Sequence, residues 1–356
     1  MFRYPRPSVN HQSVKAMKTL VYNGPWDMSL EVVPDPTPVA GEVLLKIETV
    51  GICGSDVHGF TGESGRRRPG MIMGHEACGS IIELGDGVTG FQVGDFVAVF
   101  PSVPCSDCEF CDDGREQLCE TKEIIGVNLD DHGAMAEYMT YPAGGLYKLE
   151  PGIDPAIGLL AEPIGVGMHA MKLMNPKPSD VVAIVGGGMI GTGLTIALKA
   201  HGVRNVFVLD MIPDKLQLVA SFGAHPINIK TDDPAAVMQE IAGRPTANGA
   251  FEAVGRGPTV RSAFDLLGTG GTLVVIGNLD QEFTLPMQLV TWRETIIRGS
   301  YGFSCADFAD AVDLINQGNI DLSPLITGRC TLEETPDIMT KLGREEMQVT
   351  KMVICP

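Results

Sequence analysis

The stretch VVAIVGGGMIGTG, residues 181–193, constrains what this chain can fold into more than any other. VVAIV is a compact apolar strand, and Gly186, Gly188 and Gly191 follow it as G-x-G-x-x-G at the start of a helix-like run, GTGLTIALKAHG. The first glycine permits a tight turn, the second lets the backbone approach a pyrophosphate, and the third lets strand and helix pack closely. Phosphates would then rest on the helix N-terminus, around Met189 and Ile190, where free N–H groups and the dipole favour negative charge. Taken alone, the pattern also fits any tight strand-to-helix turn. Asp210 adds to it: it ends the strand NVFVLD, 19 residues after Gly191. An acid there accepts hydrogen bonds from ribose hydroxyls and repels a 2′-phosphate, so the reading is a dinucleotide site that prefers NAD to NADP.

The surroundings agree with an α/β chain. Across 158–302 the apolar strands VVAIVGG, NVFVLD, GAFEAVG, TLVVIGN and TIIRGSY alternate with helix-like segments such as DKLQLVASFGA, which implies a doubly wound parallel sheet. Residues 18–157 are β-rich instead, with short runs such as EVLLKIETVGI and DFVAVFP between Gly, Pro and Asp clusters. The tail, 303–356, offers one helix, CADFADAVDLINQG, and one strand, VTKMVIC, and is expected to return to the first domain. At 356 residues, two domains with sizeable cores are affordable. Residues 1–17 lack the apolar core of a secretory signal and are set aside as an N-terminal extension. No apolar run reaches the ~18 residues of a membrane helix, and a net charge of −18 weighs against nucleic acid as a partner.

Four of the nine cysteines crowd together as PCSDCEFCDDGREQLC. Cys105, Cys108, Cys111 and Cys119 are spaced C-x2-C-x2-C-x7-C, which suits a closed tetrahedral shell and hence a structural zinc. Disulfides and an iron–sulfur cluster are the competing readings. Metal ligation by thiolates points to a cytoplasmic location.

A second set is scattered: Cys53 in GICGSDVH, His75 and Glu76 in GHEACG, and Glu162 in LLAEPIGVG. Singly, each has an ordinary explanation as a buried small residue, a core histidine or a helix-start acid. Together they offer one thiolate, one imidazole and two carboxylates, a donor set suited to a catalytic zinc with an exchangeable position. Adjacent residues on a straight strand face opposite ways, so His75 and Glu76 can share a target only if the backbone bends at Gly74 or the strand ends there.

The order of GICGSDVH, GHEACG, the four-cysteine run, AEPIGVGMHA and GGGMIG resembles the zinc-dependent medium-chain alcohol and polyol dehydrogenases from Met17 onward. The resemblance implies a GroES-like catalytic domain (18–157 and 303–356) around a Rossmann domain (158–302), with two zinc ions per chain and NAD. It implies Cys53 and His75 as ligands of the catalytic zinc. Glutamate at 162, where ethanol-type members carry cysteine, and at 76 after the motif histidine, places the chain with the sorbitol- and threonine-type branch. There Glu76 and Glu162 share the roles of direct ligand and holder of water. Ser55 would take the substrate proton, His58 would pass it outward, and Asp56 would orient His75. The expected reaction is oxidation of a secondary alcohol to a ketone. Threonine or a short-chain primary alcohol are alternative substrates, and a non-catalytic relative is a more distant alternative.

Three further features bear on substrate and assembly. Arg66 to Arg68 read as a solvated loop or as partners for a substrate phosphate or carboxylate. Gly302-Phe303 replaces the Arg-Tyr pair of animal sorbitol dehydrogenases and suggests a less polar wall, to which Phe60 is a candidate contributor. The family forms homodimers or homotetramers, and TLPMQLVTWRETIIRG, with Trp292, is the candidate contact.

Overall fold

The strand Glu42–Ile52 is the axis of the β-rich half of the chain, and nearly every residue of it is buried. Glu76–Leu84 pairs antiparallel along one side of it. On the other side Tyr138–Pro142 covers its first half and Lys351–Ile354 its second, with Met352 opposite Ile52 and Ile354 opposite Val50. The sheet runs Leu146–Lys148, Phe96–Val99, Glu76–Leu84, Glu42–Ile52, Lys351–Ile354, Ile326–Cys330. A smaller sheet joins Asp27–Pro34, Ala16–Gly24 and Met71–Ile72. Val43, Leu45, Ile47, Val50, Met135 and Tyr141 lie in the core of this half.

The computed structural model describes residues 16–129 and 133–356. They divide into two compact units: one comprises the described residues up to 112, 118–162 and 312–356, the other 113–117 and 163–311. Apart from the short 113–117 segment, the crossings lie at 162/163 and 311/312, against 157/158 and 302/303 from the texture of the sequence. They fall inside the helices Ala161–Met174 and Cys305–Gln317, whereas composition changes at the preceding loops. Residues 1–15 of the expected N-terminal extension lie outside the described residues. Its last two, Ala16 and Met17, belong to the strand Ala16–Gly24, where they pair with Pro34 and Val33.

The second unit is a six-stranded, wholly parallel sheet ordered His225–Asn228, Asn205–Asp210, Val181–Val185, Ala247–Glu252, Leu267–Val275, Ile296–Gly299. Val181, Ala183, Phe207, Ala250, Phe264 and Leu273 lie in its core. Chain order reverses at Val181–Val185, and ligands of such sheets bind beyond the carboxyl ends of the strands at that reversal. The outer strand His225–Asn228 was not visible in the sequence, because HPIN is short and carries a proline tolerated only at an edge. Among the described residues no helix is long and apolar enough to cross a membrane.

Candidate metal centre and dinucleotide turn

The metal-type cluster is built where the axial strand ends. In the register, Gly51 faces Glu76, so Cys53, two residues on, emerges beside His75. Gly74 has φ +94°, and a Cβ there would press on Met135 and Val50. The backbone therefore bends immediately before His75, and the regular strand begins only at Glu76. A straight strand would have separated these two side chains; the bend lets both be buried on one target, at 5% and 1% exposure. One ligand atom each from Cys53, His75 and Glu76 lies within 4.8 Å of the others. Thiolate, imidazole and carboxylate at this spacing are the donors zinc accepts, so the residues present fit the ion.

Asp56 organises the cluster from below. Cys53 caps the helix Gly54–Phe60, and its backbone N–H donates to the Asp56 carboxylate at 3.0 Å. The other carboxylate oxygen lies 3.3 Å from His75 Nδ1 and accepts from Arg67 Nη2 at 3.2 Å. Burial opposes ionisation of Asp56, but His75 and then Arg67 outweigh it and hold the carboxyl at about 2. Burial likewise opposes a charge on His75, yet Asp56 raises its pKa well above the ordinary value. Asp56 at Nδ1 leaves Nε2 as the nitrogen available to a metal.

Glu162 sits in the first turn of Ala161–Met174, outside the tight trio. Burial, then the negative charge of Glu76, push its carboxyl up to about 7. Glu76 itself is held by a residue from the far end of the chain. Lys351 Nζ, 2% exposed, donates to Glu76 Oε1 at 2.7 Å and Oε2 at 2.5 Å, and to the Ile52 carbonyl at 3.3 Å. Ser55 Oγ lies 3.4 Å from His75 Nε2. His58 is on the same helix three residues on, its side chain 42% exposed and its Nδ1 2.7 Å from Glu63.

The cysteine run folds as a separate lobe, in which the short strands Ser102–Val103 and Glu123–Ile124 pair. Sulfur atoms of Cys105, Cys108, Cys111 and Cys119 all lie within 4.8 Å of one another. Cys108 and Cys111 are 3.5 Å apart, and Cys105 and Cys111 3.9 Å. A tetrahedron with Zn–S of about 2.3 Å has S–S edges of about 3.8 Å, so the four sulfurs fit a zinc ion. Burial raises the Cys119 pKa, but the Cys105 N–H and Thr121 outweigh it and bring the thiol down to about 6.

In the second unit, Gly188 caps the helix Met189–Ala200, with Met189 and Ile190 in its first turn. A Cβ at Gly191 would collide with the Gly186 carbonyl, which explains the third glycine. Asp210 Oδ2 accepts from Gly187 N at 2.8 Å, and Oδ1 from Met211 N at 2.7 Å and Ile212 N at 3.0 Å. These bonds fix the carboxylate at the edge of the glycine turn and leave part of its four-site acceptor capacity open.

Lys351 and Arg67 were missed in the sequence. A lone cation inside the apolar VTKMVIC was the available signal for the first. Arg67 was hidden in a charge run: Arg66 and Arg68 are exposed, whereas Arg67 is buried on Asp56. Two wall candidates are corrected. Phe60 is 1% exposed, in the core of the first unit and edge-on to Trp26. Phe303 is 4% exposed and stacks on Phe308. Both rings are consumed by packing.

Comparison with known proteins gives the same division into two family domains. Residues 39–151 match the alcohol dehydrogenase GroES-like domain and 190–317 the zinc-binding dehydrogenase family. The chain is 30% identical over 354 residues to sorbitol dehydrogenase of Bacillus subtilis, covering 98% of this chain and 99% of that one. A zinc-binding dehydrogenase structure from Sinorhizobium meliloti, bound to NADP, superposes with a TM-score of 0.87 at 27% identity, covering 96% and 100%. An alcohol dehydrogenase structure from E. coli CFT073 with NADH gives 0.87 at 28% identity, covering 96% and 99%.

Proposed function

The chain belongs to the zinc-dependent medium-chain alcohol and polyol dehydrogenases, and from that premise we propose that it oxidises a secondary alcohol of a polyol, sugar acid or related small molecule to the ketone, with NAD as acceptor. The observation that carries the reading is the convergence of Cys53, His75 and Glu76 on one buried point, with glutamate, not cysteine, at 162. Sorbitol, the substrate named for the Bacillus relative, is a polyol of this class.

Cys53, His75 and either Glu76 or Glu162 would hold one zinc, and the four cysteines of the lobe a second. When bound, the catalytic ion supplies Lewis acidity toward a substrate hydroxyl, and the nicotinamide supplies the hydride acceptor. The chain's own residues do the rest. Asp56, with a carboxylate oxygen 3.3 Å from His75 Nδ1, keeps the ring oriented. Ser55 Oγ, beside His75, would accept the hydroxyl proton while releasing its own, and His58, at i+3 on the same helix, would carry that proton outward to solvent. Lys351 balances the charge of the Glu76 carboxylate.

Asp210 favours NAD over NADP by repelling a 2′-phosphate. The strand Ile296–Gly299 is an exposed sheet edge, flanked by Trp292 and Met287 at 75% and 77% exposure. An apolar edge of this kind supports a homodimer or homotetramer formed there. A cytoplasmic location accords with the cluster of free cysteines.

The test is a panel of polyols, sugar acids, their phosphates, threonine and primary alcohols, read as NADH or NADPH formation. Turnover of polyols or sugar acids with NAD supports the reading; turnover confined to primary alcohols, or none in zinc-loaded protein, refutes it. Asp210→Gly should shift the NAD/NADP preference about tenfold toward NADP.

A further inference from the structure

Glu252 is a fully buried acid at the carboxyl end of a central strand, where the sheet would otherwise take an apolar residue. Both of its carboxylate oxygens are hydrogen-bonded. Its Oε1 accepts from Val254 N at 2.9 Å, Gly255 N at 2.8 Å and Thr259 Oγ1 at 2.7 Å, and its Oε2 from Gly255 N at 3.0 Å. Its backbone carbonyl accepts from Ile276 N at 2.9 Å and Gly277 N at 3.2 Å. One residue thus ties down the loops leaving two neighbouring strands, Ala247–Glu252 and Leu267–Val275. Without its carboxyl group, the N–H groups of Val254 and Gly255 would lose their partner, at the full cost of an unmade buried bond.

The loop it holds borders the dinucleotide turn. Ala253 N donates to the Val185 carbonyl at 2.9 Å, and a Cβ at Gly186 would come within 2.7 Å of Val254 Cγ2. On its other side the loop meets backbone: Gly255 has φ +91°, and a Cβ there would run into Asn278 N and Leu279 N. Asp280 closes the arrangement, its N–H donating to the Gly255 carbonyl at 2.7 Å and its carboxylate accepting from Gly257 N at 2.8 Å. The first glycine of the phosphate turn is therefore backed by a wall whose position depends on Glu252.

We propose that Glu252 is a positioning residue for the dinucleotide: by strapping the 253–257 loop against Gly186 it sets cofactor affinity without touching the cofactor or the alcohol. The inference rests on the reading of the second unit as the dinucleotide site.

The test compares Glu252→Gln and Thr259→Val with wild type in zinc-loaded protein, by NADH fluorescence titration and by steady-state kinetics. Gln keeps the shape but sets an NH2 where Gly255 N–H needs an acceptor, so the NADH Kd and the KM for NAD should rise about tenfold. Thr259→Val removes one donor and leaves both backbone bonds, so its shift should stay within about threefold. In both variants kcat, the KM for alcohol and zinc content should stay near wild type, which a general loosening of the fold would not spare. An unchanged NADH Kd in Glu252→Gln overturns the proposal, as does a parallel fall in zinc content and alcohol affinity. Failure of wild type to bind NADH would instead overturn the dinucleotide reading itself.

Discussion

The two metal-type clusters of the first unit use overlapping chemistry in opposite ways. The lobe offers four identical soft donors at tetrahedral spacing, from 15 consecutive residues that include little regular structure. The other cluster draws one thiolate, one imidazole and one carboxylate from the ends of the central strands, with a second carboxylate outside the trio. Four thiolates would fill a zinc shell and leave nothing to exchange, so a metal bound there would substitute for a core. The mixed set is embedded in a core that already exists, and its charges are balanced by protein: Asp56 by Arg67 and His75, Glu76 by Lys351. A site whose donors have alternative partners can release one without collapse. On the proposed reading, the lobe would need zinc to fold, whereas the mixed site is built into a fold that exists without it.

The comparison can be broken by variants on either side. The largest expected effect is from Cys53→Ser, which should lower kcat/KM by about 10⁴-fold or more while circular dichroism and the lobe's zinc are unchanged. Coincident loss of folding would put the two clusters on the same footing. In the lobe, Cys108→Ser should do the converse, costing about 4 kcal/mol in chemical denaturation while the surviving folded protein turns over at near the normal rate.

Lys351→Met leaves Glu76 buried without its counter-charge and should cost about 3 kcal/mol in metal-free protein. Zinc, as a replacement cation, should restore part of that, so a stability loss indifferent to zinc would contradict the charge-balance account. The smallest effect is pH-dependent. The Asp56 pKa is lowered from 3.8 to about 2, so its ionised form stabilises the fold above pH 3.8, and that contribution fades as pH falls toward 2. Wild type should therefore exceed Asp56→Asn by about 2 kcal/mol near neutrality, in the metal-free state, with the gap closing through that window. A gap constant down to pH 2 would mean that the carboxylate charge is not what matters.

Much of this was legible in the sequence because the informative residues lie close together. The glycine turn, Asp210 and the four cysteines are local patterns, and the structure places each set in one spot. Cys53 and His75, though apart in sequence, were legible through motif order. Lys351 was not: it reaches Glu76 across 275 residues, through a strand pairing that no local pattern encodes. Arg67 was hidden because neighbours of the same charge face solvent. Phe60 and Phe303 were misjudged because an aromatic side chain near a motif gives no sign of whether it lines a site or fills a core.

The most direct test of the contrast is stepwise metal removal. Purified enzyme is titrated with a chelator while zinc per chain, alcohol-dependent NAD reduction and circular dichroism are followed together. Activity should vanish as the first of two zincs leaves, with the fold intact and activity recovered on adding zinc; loss of the second should unfold the lobe. Activity that survives until both ions are gone, or a single zinc whose loss abolishes fold and turnover together, would contradict it.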